Sequence, residues 1–305
     1  MIGLPQSPLA SGGPITLVRT YPVDPIRQQW RDGLGVDLAG ELAGLGELRL
    51  FRCETSGLEF FHPPEAAGSP ALYEALSRHP LFYQEEKWEF RQALRDLAGR
   101  GSLLEVGAGP GRFLERVRQR LPGARLLGLE VNPWALEQAR AAGFPVEAAD
   151  LTEIAARGAT WEAVCAFQVL EHLARPREFL TAAVACLAPG GLLLLGVPNR
   201  DSTLGRQYNI LDMPPHHLTR WNAASLGWIT SFLPLKLVEL RQEPLAEVHL
   251  PLYLAAKAAE LEARWPGAGA LLRPPVQARA AAFLARSGLR RLLLGHTLYA
   301  VFQKT

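Results

Sequence analysis

Three glycines at alternate positions, Gly107, Gly109 and Gly111, follow an apolar run that ends in the acidic residue Glu105. A segment with helical patterning begins directly after them, so we predict a strand that passes through a tight turn into a helix. Glycine lacks a Cβ, and such a turn can therefore adopt unusual dihedral angles and let a ligand lie against bare backbone. In open α/β sheets, ligands bind at the carboxyl ends of the strands. The turn therefore predicts a binding site.

The spacing of these glycines differs from the dinucleotide-binding fingerprint Gly-x-Gly-x-x-Gly. Counted from Gly107, the third glycine would fall at position 112, which is Arg112; counted from Gly109, it would fall at position 114, which is Leu114. This mismatch argues against a nicotinamide-dependent oxidoreductase. Glu130 ends the next predicted strand, where a carboxylate can accept hydrogen bonds from both hydroxyls of a ribose. Glu130 therefore supports a ligand that contains adenosine, but it does not distinguish a dinucleotide from other ligands of that kind.

Histidines supply the candidate acid or base. His216 and His217 are adjacent in a loop-like segment, and His172 follows a predicted strand. An imidazole with a pKa near 6.5 can take a proton from a hydroxyl or a carbon acid at neutral pH. Each of these histidines is equally suited to fix a loop by hydrogen bonding to the backbone, and both roles remain open.

The order of the predicted elements indicates an α/β fold. Residues 1–85 are rich in proline and glycine, with one predicted hairpin around residues 54–57. Strands and helices then alternate to about residue 200, which is typical of a doubly wound, mostly parallel sheet. We predict an accessory, substrate-facing region over 1–85, a ligand-binding core over 86–245, a helical insertion or lid over 246–294, and a final core strand over 295–305.

Bulk composition narrows the classes of partner. The 305 residues are 48% hydrophobic and 20% charged, as in ordinary globular proteins, and the net charge is +2. There is no clustered basic run, so we expect no nucleic-acid partner.

No apolar stretch reaches the ~20 residues that span a bilayer, and no signal peptide is evident. Three scattered cysteines do not make a disulfide framework. We therefore expect a cytoplasmic protein without a membrane partner.

Four motifs between residues 103 and 200 resemble those of class I S-adenosylmethionine-dependent methyltransferases, in the same order and spacing. They are the glycine turn, Glu130, Asp150 and the segment 166–173, which is most similar to the small-molecule branch that includes ubiquinone-biosynthesis enzymes. The resemblance implies a seven-stranded Rossmann-like sheet, S-adenosyl-L-methionine as cofactor and a small-molecule acceptor. It implies the following cofactor-binding residues: Glu105, Gly107, Ala108, Gly109, Gly111, Glu130, Val131, Asp150, Leu151, Gln168 and Tyr83.

Four of these residues carry specific expectations. The resemblance implies that Asp150 accepts from the adenine amino group, with Leu151 against the ring, although Asp150 also fits as the N-cap of a helix beginning near Leu151. It implies that Gln168 lines the pocket near the methionine moiety. Tyr83 is expected to touch the methionine end or the substrate, and a simple amphipathic helix face explains it almost as well.

The segment Met213–Trp221 is similar to one in sugar C-methyltransferases, where the histidine matching His217 serves as the base. This similarity implies His217 as the catalytic base of a methyltransferase that acts on a small-molecule or sugar-type acceptor, with His216 and His172 as further candidates. The alternatives are a pseudo-enzyme that binds the cofactor without transfer and an NAD-dependent oxidoreductase. The sequence leaves open the acceptor, the atom methylated and the oligomeric state.

A candidate metal site near the N-terminus is incomplete. The segment from Cys53 to Leu58 resembles half of the zinc ribbon that precedes several such methyltransferases, but Ser56 occupies the second ligand position. No other cysteine pair exists, so four ligands cannot be assembled. We therefore expect no metal.

Overall fold

The computed structural model describes residues 5–77 and 86–305. In the described ranges the strands, in chain order, are β1 (Ile15–Pro22), β2 (Glu47–Cys53), β3 (Glu59–His62), β4 (Ser102–Val106), β5 (Arg125–Leu129), β6 (Val146–Glu147), β7 (Trp161–Phe167), β8 (Leu187–Pro198), β9 (Thr219–Arg220), β10 (Leu235–Pro244) and β11 (Leu294–Lys304). The α-helices there are α1 (Val23–Leu34), α2 (Pro70–Ser77), α3 (Trp88–Asp96), α4 (Arg112–Arg120), α5 (Pro133–Ala141), α6 (Leu151–Ala156), α7 (Pro176–Ala185), α8 (Ala223–Trp228), α9 (Leu250–Arg264) and α10 (Pro274–Ser287).

The central sheet has seven strands in the order β10-β11-β8-β7-β4-β5-β6. Strands β4 to β8 run parallel, and β11 is antiparallel to both β8 and β10. The middle strands are buried apolar runs, as expected when helices cover both faces of a parallel sheet. The predicted α/β fold with a mostly parallel seven-stranded sheet is confirmed. Its carboxyl edge carries the glycine turn after β4 and the segment after β7.

The glycine turn has the backbone that its sequence predicts. Gly107, Gly109 and Gly111 have φ values of +73°, +54° and +87°, all in the left-handed region. Gly111 is the N-cap of α4, which begins at Arg112 as predicted. A Cβ on Gly111 would lie 2.6 Å from Cδ2 of Phe144, so both the dihedral angle and the space require glycine here.

The substitution Gly111→Ala is therefore expected to lower the free energy of unfolding by about 2–4 kcal/mol, the sum of a left-handed alanine and a steric overlap. Chemical denaturation measures it. Gly143→Ala is the matched control, because Gly143 has a φ of +75° but a Cβ at this position would meet no atom within 4 Å. We expect the control to lose only about 1–2 kcal/mol. Equal losses in the two variants would contradict the steric argument.

A second sheet of four strands, β1-β2-β3-β9, lies outside the central sheet. Strands β2 and β3 form the hairpin that the sequence predicts. Strand β9 comes from the loop after β8 and pairs antiparallel with β3, where Phe60 lies opposite Thr219. Buried Glu59 on β3 receives Arg52, Arg200 and Arg220, with N···O distances of 2.8, 3.5 and 3.1 Å. These ion pairs connect the N-terminal hairpin to the segment that follows the central strand β8.

The helical segment between β10 and β11 consists of α9 and α10. Helix α9 buries Leu250, Leu254 and Ala256, whereas α10 has no buried residue. The two are separated by a turn at Trp265–Gly267 and a short 3₁₀ helix. Within the described ranges, no helix is both long and apolar enough to cross a membrane.

Candidate active site

Glu130 lies directly beneath the glycine turn. The Gly109 N–H donates to Oε2 of Glu130 at 2.7 Å, and the Asn132 N–H donates to Oε1 at 2.8 Å. The side chain is 8% exposed, and this burial raises the pKa of Glu130 despite the two backbone donors. Each carboxylate oxygen can accept more than one hydrogen bond. Glu130 therefore stabilises the turn and retains acceptor capacity for hydroxyl donors of a ligand.

Glu105 is the penultimate residue of the central strand β4 and is buried. Its Oε2 has no hydrogen-bond partner among the described residues. Burial raises the pKa of Glu105 well above its ordinary value, although the charge of Lys87 opposes the shift. A buried polar atom without a partner is costly and commonly marks the place of a ligand. A donor or cation bound at this edge of the sheet would satisfy it.

Val131 and Ala108 complete the edge of this region. Val131 follows Glu130 in the chain and is 68% exposed, so it offers an apolar surface next to this carboxylate. Ala108 is buried, and its N–H and that of Gly107 both donate to the carbonyl oxygen of Leu129. The structure thus places the turn, the carboxylate of Glu130 and an exposed apolar surface together.

Asp150 is the N-cap of α6. Its Oδ1 accepts from the N–H groups of Thr152 and Glu153 at 2.6 and 3.3 Å. The hydroxyl of Thr152 also donates to it, and these bonds lower the pKa of Asp150. Leu151 is buried in the core. The capping role is thus observed, and the contacts of Asp150 and Leu151 with adenine stay predictions.

Gln168 follows β7 with a φ of +58°, the one non-glycine positive φ in the described ranges. Its side-chain Nε2 donates to Oε1 of Glu89 on α3 at 3.0 Å. A left-handed conformation is costly for a residue with a Cβ, and such residues cluster at ligand sites. This supports a functional position for Gln168. Tyr83 lies outside the described residues.

His172, His216 and His217 form one cluster with ring centroids 4.5–4.9 Å apart, in which His216 and His217 are buried and His172 is half-buried. Nδ1 of His172 bonds the carbonyl of His216 at 2.7 Å, and Nδ1 of His216 bonds the carbonyl of Leu211 at 2.8 Å. Carbonyl oxygens only accept, so both Nδ1 atoms carry the hydrogen and Nε2 is the basic nitrogen of each ring. We refer to these three residues as the histidine cluster.

His217 differs from the other two because its partner is a carboxylate. Its Nδ1 lies 3.3 Å from Oδ1 of Asp212. Burial alone would raise the pKa of Asp212, but the hydrogen bond and the charge of His217 outweigh burial and hold it below the ordinary value. Asp212 is therefore ionised at neutral pH, and an ionised partner stabilises a protonated imidazole.

The other two histidines are held neutral. Burial, reinforced by the neighbouring imidazoles, lowers the pKa of His172 well below 6.5 and that of His216 to about 3. Within the histidine cluster, the geometry thus favours His217 over His216 and His172 as the residue that accepts a proton.

Glu171 is a further acidic residue at the histidine cluster. Both of its carboxylate oxygens are buried and have no hydrogen-bond partner among the described residues. Burial raises the pKa of Glu171 to about 7, while the charge of His217 acts in the opposite direction. The carboxyl groups of Glu171 and Asp212 have a larger effect on the charge around the histidine cluster than the sequence indicated. The sequence feature that could have pointed to Asp212 is its position five residues before His217.

The raised pKa of Glu171 predicts a pH-dependent stability. Between the unfolded value near 4.5 and the folded value of about 7, the folded state binds the extra proton, so the contribution of Glu171 to stability falls as the pH rises. Glu171→Gln removes this dependence. Relative to the parent chain, we expect the variant to gain on the order of 3 kcal/mol between pH 4.5 and 8.

Denaturant unfolding at several pH values measures this difference. Glu137→Gln, at an exposed position on α5, is the control and should show no such gain. A constant difference between Glu171→Gln and the parent chain across this range would contradict the assignment.

The histidine cluster is also the one group in the described ranges with metal-ligand composition, since one ring nitrogen from each residue lies within 4.8 Å of the others. However, the rings of His216 and His217 are stacked at 19°. The lone pair of a ring nitrogen lies in the ring plane, so two stacked rings do not direct both lone pairs at one ion. The absence of a metal stays a prediction.

The parallel sheet, the glycine turn and the carboxylate beneath it define a nucleoside-binding α/β protein. Residues 79–239, more than half of the chain, match the family model of the methyltransferase domain. A Mycolicibacterium smegmatis protein named "Probable S-adenosylmethionine-dependent methyltransferase" is 30% identical over 196 residues, which cover 63% of this chain and 70% of that protein. This chain belongs to the S-adenosylmethionine-dependent methyltransferase family, and S-adenosyl-L-methionine is the cofactor of its methyltransferase domain.

Other relatives match over shorter stretches. A trans-aconitate 2-methyltransferase of Acidovorax is 27% identical over 49% of this chain and 57% of its own length. A ubiquinone biosynthesis O-methyltransferase of Methylobacterium is 33% identical over 32% of this chain and 41% of its own length. The chain thus spans about half the length of these two relatives. A solved methyltransferase structure from Archaeoglobus fulgidus has a TM-score of 0.49 at 18% identity, covering 78% of this chain and 95% of that one.

The residues at the carboxyl edge fit this cofactor chemically. Glu105 presents a buried carboxylate oxygen without a partner among the described residues, and the cofactor carries an ammonium group and a sulfonium charge. Glu130 retains acceptor capacity for ribose hydroxyls, and Val131 offers an exposed apolar surface to a flat ring.

Proposed function

We propose that this domain methylates a small-molecule acceptor and that His217 is the general base. The observation that carries the proposal is the hydrogen-bonded pair of His217 and ionised Asp212, set within the histidine cluster. Because His172 lies five residues after the end of β7, the histidine cluster lies at the same carboxyl edge of the sheet as the glycine turn. Two of the relatives are named for small-molecule chemistry, one for trans-aconitate and one for ubiquinone biosynthesis.

In this proposal the residues of the glycine turn, Glu105 and Glu130 hold the cofactor, with Gln168, Asp150, Leu151 and Tyr83 as further contacts. When bound, S-adenosylmethionine supplies an electrophilic methyl group. The protein's contribution is to position the acceptor and to exclude water from it. The neutral rings of His172 and His216 provide a weakly hydrated surface for that purpose.

The proton of the acceptor goes to Nε2 of His217. Asp212 holds Nδ1–H of the same ring, which fixes the tautomer and stabilises the imidazolium that forms. A hydroxyl or carbon acid is the type of acceptor that needs such a base. A sugar-type metabolite is one such acceptor, and a hydroxylated aromatic ring is another.

The test is to incubate the chain with S-adenosylmethionine and a panel of small carboxylic acids, phenols and sugars, and to measure S-adenosylhomocysteine release. Release with at least one acceptor is expected. Calorimetric titration with S-adenosylhomocysteine and with NAD separates the alternatives. Heat with S-adenosylhomocysteine but no turnover across the panel favours a pseudo-enzyme, and heat with NAD alone contradicts the cofactor-binding roles.

A further inference from the structure

Large apolar side chains are exposed on the helical segment between β10 and β11. Leu271, Phe283 and Leu292 are 72%, 62% and 79% exposed, and Leu252, Trp265, Leu289 and Leu294 are also exposed. We call residues 265–294 the insertion face. Exposed apolar side chains scattered singly are ordinary, but a concentration of them on one segment marks an interaction surface.

Helix α10 is part of the insertion face, and no other element packs closely over it in the described part of the chain. It has the apolar composition Pro-Pro-Val-Gln-Ala-Arg-Ala-Ala-Ala-Phe-Leu-Ala-Arg-Ser, and none of its residues is buried. A helix this apolar normally buries a face against a neighbour. Within the described chain, α10 packs only loosely on α9 and its adjoining turns. Among the residues that the structure describes, the apolar side of α10 therefore has no covering partner.

The charge of the insertion face indicates which kind of partner would cover it. Residues 265–294 contain five arginines and no aspartate or glutamate, a net charge of +5, whereas the whole chain carries +2. The rest of the chain therefore sums to −3. Arg273, Arg279, Arg286 and Arg291 are exposed beside the apolar side chains. A second copy of the chain would bring the four exposed arginines of one insertion face against the same four of the other, so like charges oppose a symmetric dimer through this face.

Apolar side chains flanked by arginines on short amphipathic helices fit the boundary between headgroups and acyl chains. The arginine stems can lie along the apolar surface while their guanidinium groups reach phosphate. We propose that the insertion face docks on the surface of an anionic lipid bilayer. This surface contact differs from membrane spanning and departs from the absence of a membrane partner that composition suggested.

The insertion joins the core beside the candidate active site. His296, at the start of β11, lines the same small cleft as Asp212 and His217, and its ring lies 6.3 Å from that of His249 just before α9. The side chain of Arg290 donates to the carbonyl of Leu245 at 2.9 Å and so fixes the return of the insertion to the core. Docking of the insertion face would therefore bring this cleft close to the bilayer.

The experiment is co-sedimentation of the full chain with vesicles of phosphatidylcholine alone and of phosphatidylglycerol and phosphatidylcholine in equal parts. Binding to the mixed vesicles, weakened by salt, is expected. The charge variant Arg279→Gln/Arg286→Gln should bind roughly 30-fold more weakly, because each basic residue near the surface contributes about 1 kcal/mol. The apolar variant Phe283→Ser/Leu292→Ser should bind at least about tenfold more weakly.

The matched control is Leu17→Ser/Val238→Ser, which replaces two exposed apolar residues outside the insertion. This control should bind the mixed vesicles like the parent chain. All the altered side chains are exposed, so the variants should fold, which circular dichroism checks. No sedimentation with mixed vesicles would overturn the proposal, as would equal binding to both kinds of vesicle. Light scattering that shows a dimer lost only in Phe283→Ser/Leu292→Ser would overturn it in favour of a second copy.

Discussion

Glu130→Gln is expected to weaken the binding of S-adenosylhomocysteine by roughly 30- to 150-fold, because a charge-assisted hydrogen bond contributes about 2–3 kcal/mol. The amide keeps the size of the carboxylate but exchanges one acceptor oxygen for a donor. That donor faces either a ribose hydroxyl or one of the two N–H groups now bound to the side chain, those of Gly109 and Asn132. Calorimetric titration gives the dissociation constants.

The control for this prediction is Glu137→Gln, which removes an exposed carboxylate on α5 and should leave the affinity unchanged. Thermal unfolding of both variants without ligand separates a loss of binding from a loss of fold. If Glu130→Gln remains folded and binds S-adenosylhomocysteine as tightly as the parent chain, then Glu130 does not hold the cofactor.

His217→Asn is expected to lower kcat for an acceptor found in the panel by roughly 10²- to 10⁴-fold, the usual contribution of a general base. Asparagine retains a hydrogen bond to Asp212 but cannot accept the proton. The affinity for S-adenosylhomocysteine should stay the same, which separates a base from a residue that supports the cofactor site.

His216→Asn provides the comparison within the histidine cluster. The pKa of His216 lies at about 3 and its Nδ1 bonds the carbonyl of Leu211, so its replacement should change kcat by less than about tenfold. If instead His216→Asn costs more than His217→Asn, the two roles are reversed. If His217→Asn lowers stability and leaves kcat unchanged, the residue only fixes the loop.

Sequence periodicity predicted the central sheet well because each of its strands is marked locally. The run before Gly107 is apolar, and α4 begins directly after Gly111, as the helical patterning predicted. In a parallel sheet covered on both faces, the strands must be nearly continuous apolar runs, and this leaves a clear signal. The motifs that carry the family resemblance lie in the same region, the central sheet, because its strands are marked in the local sequence.

The N-terminal region was harder to predict. Strand β1 has mostly exposed residues and so lacks an apolar pattern, and β9 has only two residues. Their pairing depends on partners distant in sequence. The same applies to the candidate site: the sequence indicated His217 but not Asp212 as its partner or the burial of Glu171, because both are consequences of tertiary packing.

The pairing of β3 with β9 has a consequence for synthesis of the chain. Phe60 and Thr219 are separated by almost 160 residues, so the N-terminal sheet cannot be completed until about 220 residues have left the ribosome. The ion pairs of Glu59 with Arg200 and Arg220 likewise cannot form until these two arginines have been synthesised. Contacts so distant in sequence form slowly. The first hairpin to be translated therefore reaches its final structure only after most of the chain has been synthesised.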